Sequence, residues 1–174
     1  MKLRTFIILA LILGVLTACG SNNATSEENK TPDVVTTASI VNEANDFVNA
    51  VGENGTWIIA TLGDLSIDKE VVVAGEFHDK GDTNNPIYRK IALYTQDEDH
   101  NITASFTLTV PKLTVQSENL RIQGGTVKGD VYVEAKGFNL HESAKVDGNI
   151  YYANDEVKES AVIDGQVTGT QEVK

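Results

Sequence analysis

The sequence predicts an all-β domain built as a parallel β-helix, a solenoid of stacked coils, with a helix laid across its N-terminal end. Three observations carry that prediction. First, one phrase is written three times: Glu142-Ser143-Ala144-Lys145-Val146-Asp147-Gly148-Asn149-Ile150 returns seventeen residues later as Glu159-Ser160-Ala161-Val162-Ile163-Asp164-Gly165-Gln166-Val167. A weaker copy, Gln123 to Val131, precedes the first by nineteen. Self-similarity at such a period marks architectures in which each repeat buries its apolar face only against its neighbours. Second, apolar and polar residues alternate inside the phrase, with Ala144, Val146 and Ile150 on one parity and Lys145, Asp147 and Asn149 on the other, as in a strand with one buried face. Third, a stretch of helical periodicity is followed by a series of short strand-length runs.

Residues 1–18 read as a targeting segment: Lys2 and Arg4 give a basic start, Phe6 to Leu16 a short apolar run, and Leu16-Thr17-Ala18-Cys19 a small-residue site before a cysteine. The run is shorter than the ~20 residues that span a bilayer. The tetrapeptide is similar to the lipobox of bacterial lipoproteins. That resemblance implies lipidation at Cys19, which becomes the first residue of an exported chain held by lipid on the outer face of the cell membrane, or in the periplasm or outer membrane of a two-membrane host. Lipidation leaves no cysteine for a disulfide or a metal. The net charge of −11 becomes about −13 without the leader, which argues against nucleic acid and anionic headgroups as partners.

Residues 19–36, rich in Ser, Asn, Thr and Glu, read as a disordered tether with a reach of about 20–25 Å. The domain follows, over 37–174. Ile40, Val41, Ala44, Phe47, Val48 and Val51 are spaced as on one face of a helix over 39–51, with Ser39 as N-cap and Gly52 as stop. Such a helix suits the end of a β-helix, where core and strand edges are otherwise open. It carries Glu43 and Asp46 and no Lys or Arg, which makes it poor for a membrane surface. Strands are predicted at 56–62, 65–67, 70–73, 88–94, 102–110, 113–115 and 120–122. The polar stretches His78 to Pro86 and Gln96 to Asn101 read as side insertions, where binding function commonly sits. In the repeats, the glycines at 129, 148 and 165 fall on the apolar parity, at corners where a side chain would crowd a neighbouring backbone.

Ala144-Lys145-Val146-Asp147-Gly148-Asn149-Ile150 and Ala161-Val162-Ile163-Asp164-Gly165-Gln166-Val167 resemble the coils of the bactofilins, a polymer-forming family of right-handed β-helices. The resemblance implies a right-handed parallel β-helix and a capacity to polymerise. The opening, a helix followed by Gly55-Thr56-Trp57-Ile58-Ile59 and Leu65-Ser66-Ile67, also resembles that of many right-handed β-helix domains, pectate-lyase-like ones among them.

Chemistry is sparse. Asp97-Glu98-Asp99-His100 offers oxygen ligands for a hard cation but lacks the glycine and terminal glutamate of a calcium loop, so a solvated turn is the simpler reading. His78, His100 and His141 show no paired metal spacing. Asp64, Asp82, Arg89, Asp97 and Arg121 are candidates for polysaccharide cleavage, yet no local motif joins them. Neither a metal nor an organic cofactor is called for, since nucleotide loop, nucleophile elbow and catalytic cysteine are all absent. The leading expectation is therefore a non-enzymatic, membrane-anchored β-helix that self-associates or binds envelope polysaccharide. A carbohydrate-active or sugar-binding protein is the alternative. Aligning the repeats places Lys128, Asp147 and Asp164 in one outer column and Val162 where the preceding coil has Lys145. A valine on the water-facing side of an uncovered last coil marks Val162, Asp164 and Gln166 as expected self-association residues.

Overall fold

The computed structural model describes residues 39–174. The leader 1–18, Cys19 and the tether 19–36 lie outside the described residues, as do the first two residues of the expected domain.

Two parallel sheets make up the domain. The first holds β1 (Ser39–Ile40), β2 (Ile58–Ala60), β5 (Arg89–Ala92), β9 (Leu120–Gln123), β11 (Asn139–Leu140) and β14 (Val162–Ile163), neighbours in that order. The second holds β3 (Leu65–Ser66), β4 (Val71–Val73), β8 (Thr107–Val115), β10 (Thr126–Val133), β12 (Lys145–Asp147), β13 (Ile150–Tyr152), β15 (Gln166–Val167) and β16 (Gln171–Val173). Both long strands of this sheet pair in two halves, β8 with β3 and then β4, β10 with β12 and then β13. The chain thus returns five times to the same three columns, once in the first sheet and twice in the second on each pass. The fold is all-β, with every pairing in the two large sheets parallel. Antiparallel pairing among the described residues occurs in an isolated bridge between His78 and Ile87 and in the hairpin β6 (Tyr94–Gln96) with β7 (Ile102–Ser105), whose tip is the predicted insertion Gln96 to Asn101.

The predicted parity places the core. Ile59, Ile91, Ile122, Leu140 and Ile163 lie in register through the first sheet, and Leu65, Leu108, Val127, Val146 and Val167 through one column of the second. All but the last member of each row are buried. Each fully buried aliphatic side chain contributes about 1.5–3 kcal/mol, so identical stacking from pass to pass builds one continuous core from strands of two to nine residues. The corner between the two columns is made by Pro111 in β8 and Gly129 in β10. Gly129 has φ +139°, and a Cβ there would collide with the Val110 carbonyl oxygen.

The helix α1 spans Ala44–Val51, shorter than the predicted 39–51. Ser39 and Ile40 pair instead with Ile59 and Ala60, and Glu43 holds the N-cap position without a side-chain bond. That strand pairing covers backbone groups that the edge of β2 would otherwise leave open. Phe47, Ala50 and Val51 are buried against the first pass, and Ala74 N–H donates to Val51 O at 3.0 Å.

The stacking of the last pass corrects the repeat alignment. Thr126 pairs with Lys145, the nineteen-residue offset expected. Lys145 then pairs with Gln166 and Val146 with Val167, an offset of twenty-one and not seventeen. A short helix that the sequence reading missed, α2 (Asp155–Ser160), occupies the difference. Asn154 caps it by accepting from Val157 N–H at 2.9 Å. Gly165 therefore lies against Ala144 O, while the corner column runs Gly129, Gly148, Gly169. The expected outer column Lys128, Asp147, Asp164 is replaced by Lys128, Asp147, Thr168, whose hydroxyl donates to Asp147 Oδ1 at 3.1 Å. Val162 stacks on Asn139 in the first sheet, not on Lys145.

Candidate functional site

The residues singled out for self-association lie on the last pass. β14, β15 and β16 each have a parallel neighbour on one side only among the described residues. Their other backbone edge is a template for a further strand. Val162 is 48% and Val173 38% exposed, Asp164 and Gln166 are exposed, and Ile163 and Val167 are half-buried against the core. Gln171 stands in the inward row beneath Ile150 and accepts from the Tyr152 hydroxyl at 3.2 Å. The edge is thus apolar through two columns and polar in part of the third.

The candidate catalytic residues are used separately. Arg89 is fully buried. Its Nε donates to Thr56 O at 3.0 Å, Nη1 to Ala74 O and to Ser117 Oγ at 2.9 Å, and Nη2 to Ala50 O at 2.8 Å and Gly52 O at 3.1 Å. The guanidinium also lies 4.0 Å from the Phe77 ring centroid, and burial lowers its pKa to about 10. This arginine holds together the end of α1, the start of β2 and the turn after β4, and is closed off from solvent. Asp64 accepts from Thr107 N–H at 2.7 Å, joining two passes. Asp82 and Asp97 organise turns: Asn84 N–H and Asn101 N–H respectively hold each carboxyl below its ordinary pKa. The stretch Asp97-Glu98-Asp99-His100 is accordingly a hairpin tip whose first carboxylate is taken by backbone amides. Among the described residues, no group of three or more His, Cys, Asp or Glu is placed to hold a metal ion. His78 bonds Asn85 O at 2.7 Å, and His141 bonds Ser143 Oγ at 2.7 Å.

Arg121 is the one cleavage candidate brought into a cluster. Its strand neighbour in register is Lys90, a residue the sequence reading did not select. Both stand on the outward parity of the first sheet, with Tyr88 beside Arg121 and Tyr94 accepting from Lys90 Nζ at 2.9 Å. Two basic residues on the outward parity of consecutive strands was the available signal, but strands thirty-one residues apart are joined only by the fold. No protein-family model matches the chain, and no curated protein or solved structure matches it significantly.

Proposed function

We propose that this chain is an exported lipoprotein, anchored through Cys19, whose non-catalytic domain is a right-handed parallel β-helix that associates with further copies through its last pass. Three parallel columns visited in the same order on every pass support the β-helix, and parallel crossovers in one sheet are right-handed in ≈ 98% of cases. The resemblance of 144–150 and 161–167 to bactofilin coils agrees with that fold. None of the described helices is long and apolar enough to cross a membrane, so membrane attachment rests on the Leu16-Thr17-Ala18-Cys19 site.

The observation that carries the association reading is the contrast between the two ends. α1 and β1 cover the first pass, whereas β14, β15 and β16 keep one unpaired edge among the described residues and expose Val162 and Val173. Light scattering on the mature chain carrying Cys19→Ala tests it. Mass is expected to rise with concentration for that chain, and the rise to be lost on adding Val162→Lys, which sets a charge on the contact. A parent chain that stays monomeric at millimolar concentration defeats the reading.

A further inference from the structure

In a chain with 25 acidic and 14 basic residues, a partly buried cation is expected to sit beside a carboxylate. Three lysines of the domain do so: Lys112 meets Glu70 at 3.0 Å, Lys136 pairs with Glu156, and Lys145 lies 3.7 Å from Asp147; the buried Arg89 has no carboxylate but is met instead by four carbonyl oxygens and Ser117 Oγ. Lys90 and Arg121 break the pattern. They are adjacent in register on β5 and β9, both half-buried, and neither has a carboxylate within ion-pair distance among the described residues. Parallel strands are about 4.8 Å apart, so two like charges stand side by side with part of their hydration removed. Burial, and then Arg121, pull Lys90 down to about 8. His141 is lowered by the same two causes in the same order, with Glu142 and Asp164 pulling the other way.

The surroundings are suited to a sugar. Asn139 continues the outward row beyond Arg121, and its Oδ1 and the Arg121 Nε are buried atoms without a hydrogen-bond partner among the described residues. Tyr88 and Trp57 are half-exposed, with ring centroids 6.2 Å apart and planes tilted by 59°. Aromatic faces, an amide and a pair of cations are the groups that contact the ring, the hydroxyls and the charge of an acidic saccharide.

We propose that the outer face of the first sheet, centred on Lys90 and Arg121 and flanked by Tyr88, Trp57 and Asn139, binds the oxyanion of an acidic sugar unit, a carboxylate or a phosphate. An oxyanion spanning the two cations supplies the counter-charge that the chain does not. The site stands whether or not the domain associates. Only the origin of the polymer in the cell envelope rests on the anchoring proposed above.

The test is calorimetric titration of the mature chain carrying Cys19→Ala with a galacturonate oligomer, a glycerol phosphate oligomer and a neutral galactose oligomer, with light scattering on the same samples to report association separately. One of the two anionic oligomers is expected to bind, and which of them binds more tightly identifies the oxyanion. Lys90→Gln and Arg121→Gln are each expected to weaken it by at least ~10-fold, the scale of one charge-assisted hydrogen bond. Lys128→Gln, the same charge change at an exposed position of the second sheet, is expected to alter it by less than ~2-fold. Because a variant at Lys90 can lose fold as well as charge, the unaltered residue is read too. The bound oligomer should protect Lys90, and not Lys128, from a limiting amine-acetylating reagent followed by peptide mass spectrometry. Absence of binding, equal binding of the neutral oligomer, equal loss from Lys128→Gln, or an unprotected Lys90 each overturns the proposal.

Discussion

Arg89 shows how one side chain can join distant parts of an all-β fold of parallel strands. Its partners Ala50, Gly52, Thr56, Ala74 and Ser117 come from four separate stretches of chain. Two of them are carbonyls at the C-terminal end of α1, where orphan acceptors and the helix dipole favour a cation. Arg89→Met is expected to destabilise the domain by about 3–5 kcal/mol, since it strands several buried carbonyls, and Arg89→Lys is expected to recover little of it, because three donors on one atom cannot span these acceptors. Urea unfolding of both variants checks this. Lys90, by contrast, is a cation held at a cost. Its folded pKa of about 8 lies below its ordinary value of 10.5, so between these pH values the unfolded chain binds more protons than the folded one and stability rises with pH. The gain through this window is expected to be about 1–3 kcal/mol after allowance for solvent screening. The difference between wild type and Lys90→Met in urea midpoint at pH 8 and pH 10.5 measures it, and a constant difference refutes it.

At the scale of elements, alternation within a strand and stacking between strands obey different rules. Val146 faces the core and is fully buried, while Lys145 is half-exposed beside Asp147. Val146→Asp is expected to cost at least about 3 kcal/mol because it buries a charge without a partner, and Lys145→Asp less than about 1 kcal/mol, read from thermal melts of the two variants. Equal tolerance would mean the face is wrongly assigned. The parity was legible because period-two alternation is local to a few residues. The offset between passes was not, because α2 lengthens one turn of the chain while the phrase Glu159 to Val167 happens to repeat Glu142 to Ile150. Helix α2 has a single buried residue, Val157, so it leaves no apolar period to detect. Its Asn154 cap and the acidic first turn of Asp155 and Glu156 were its only marks.

For the whole molecule, address and shape are read at different places. The anchoring proposal predicts that a fatty-acid analogue supplied to growing cells labels the wild type and not Cys19→Ala, seen as a fluorescent band after extraction. Persistent labelling of the variant would remove the anchor from the account. The association proposal places contact between copies on the last pass, whose strands keep one unpaired edge among the described residues.

The sequence by itself determined the all-β class, the inward rows, the glycine corners at 129 and 148 and the side insertion at 96–101, since each depends on residues close together along the chain. Only the tertiary structure decided that Val162 stacks on Asn139, that Gly169 and not Gly165 completes the corner column, that Arg89 is buried, and that Lys90 stands beside Arg121. Those facts depend on backbone hydrogen bonds between passes, whose register follows from the length of every insertion between them.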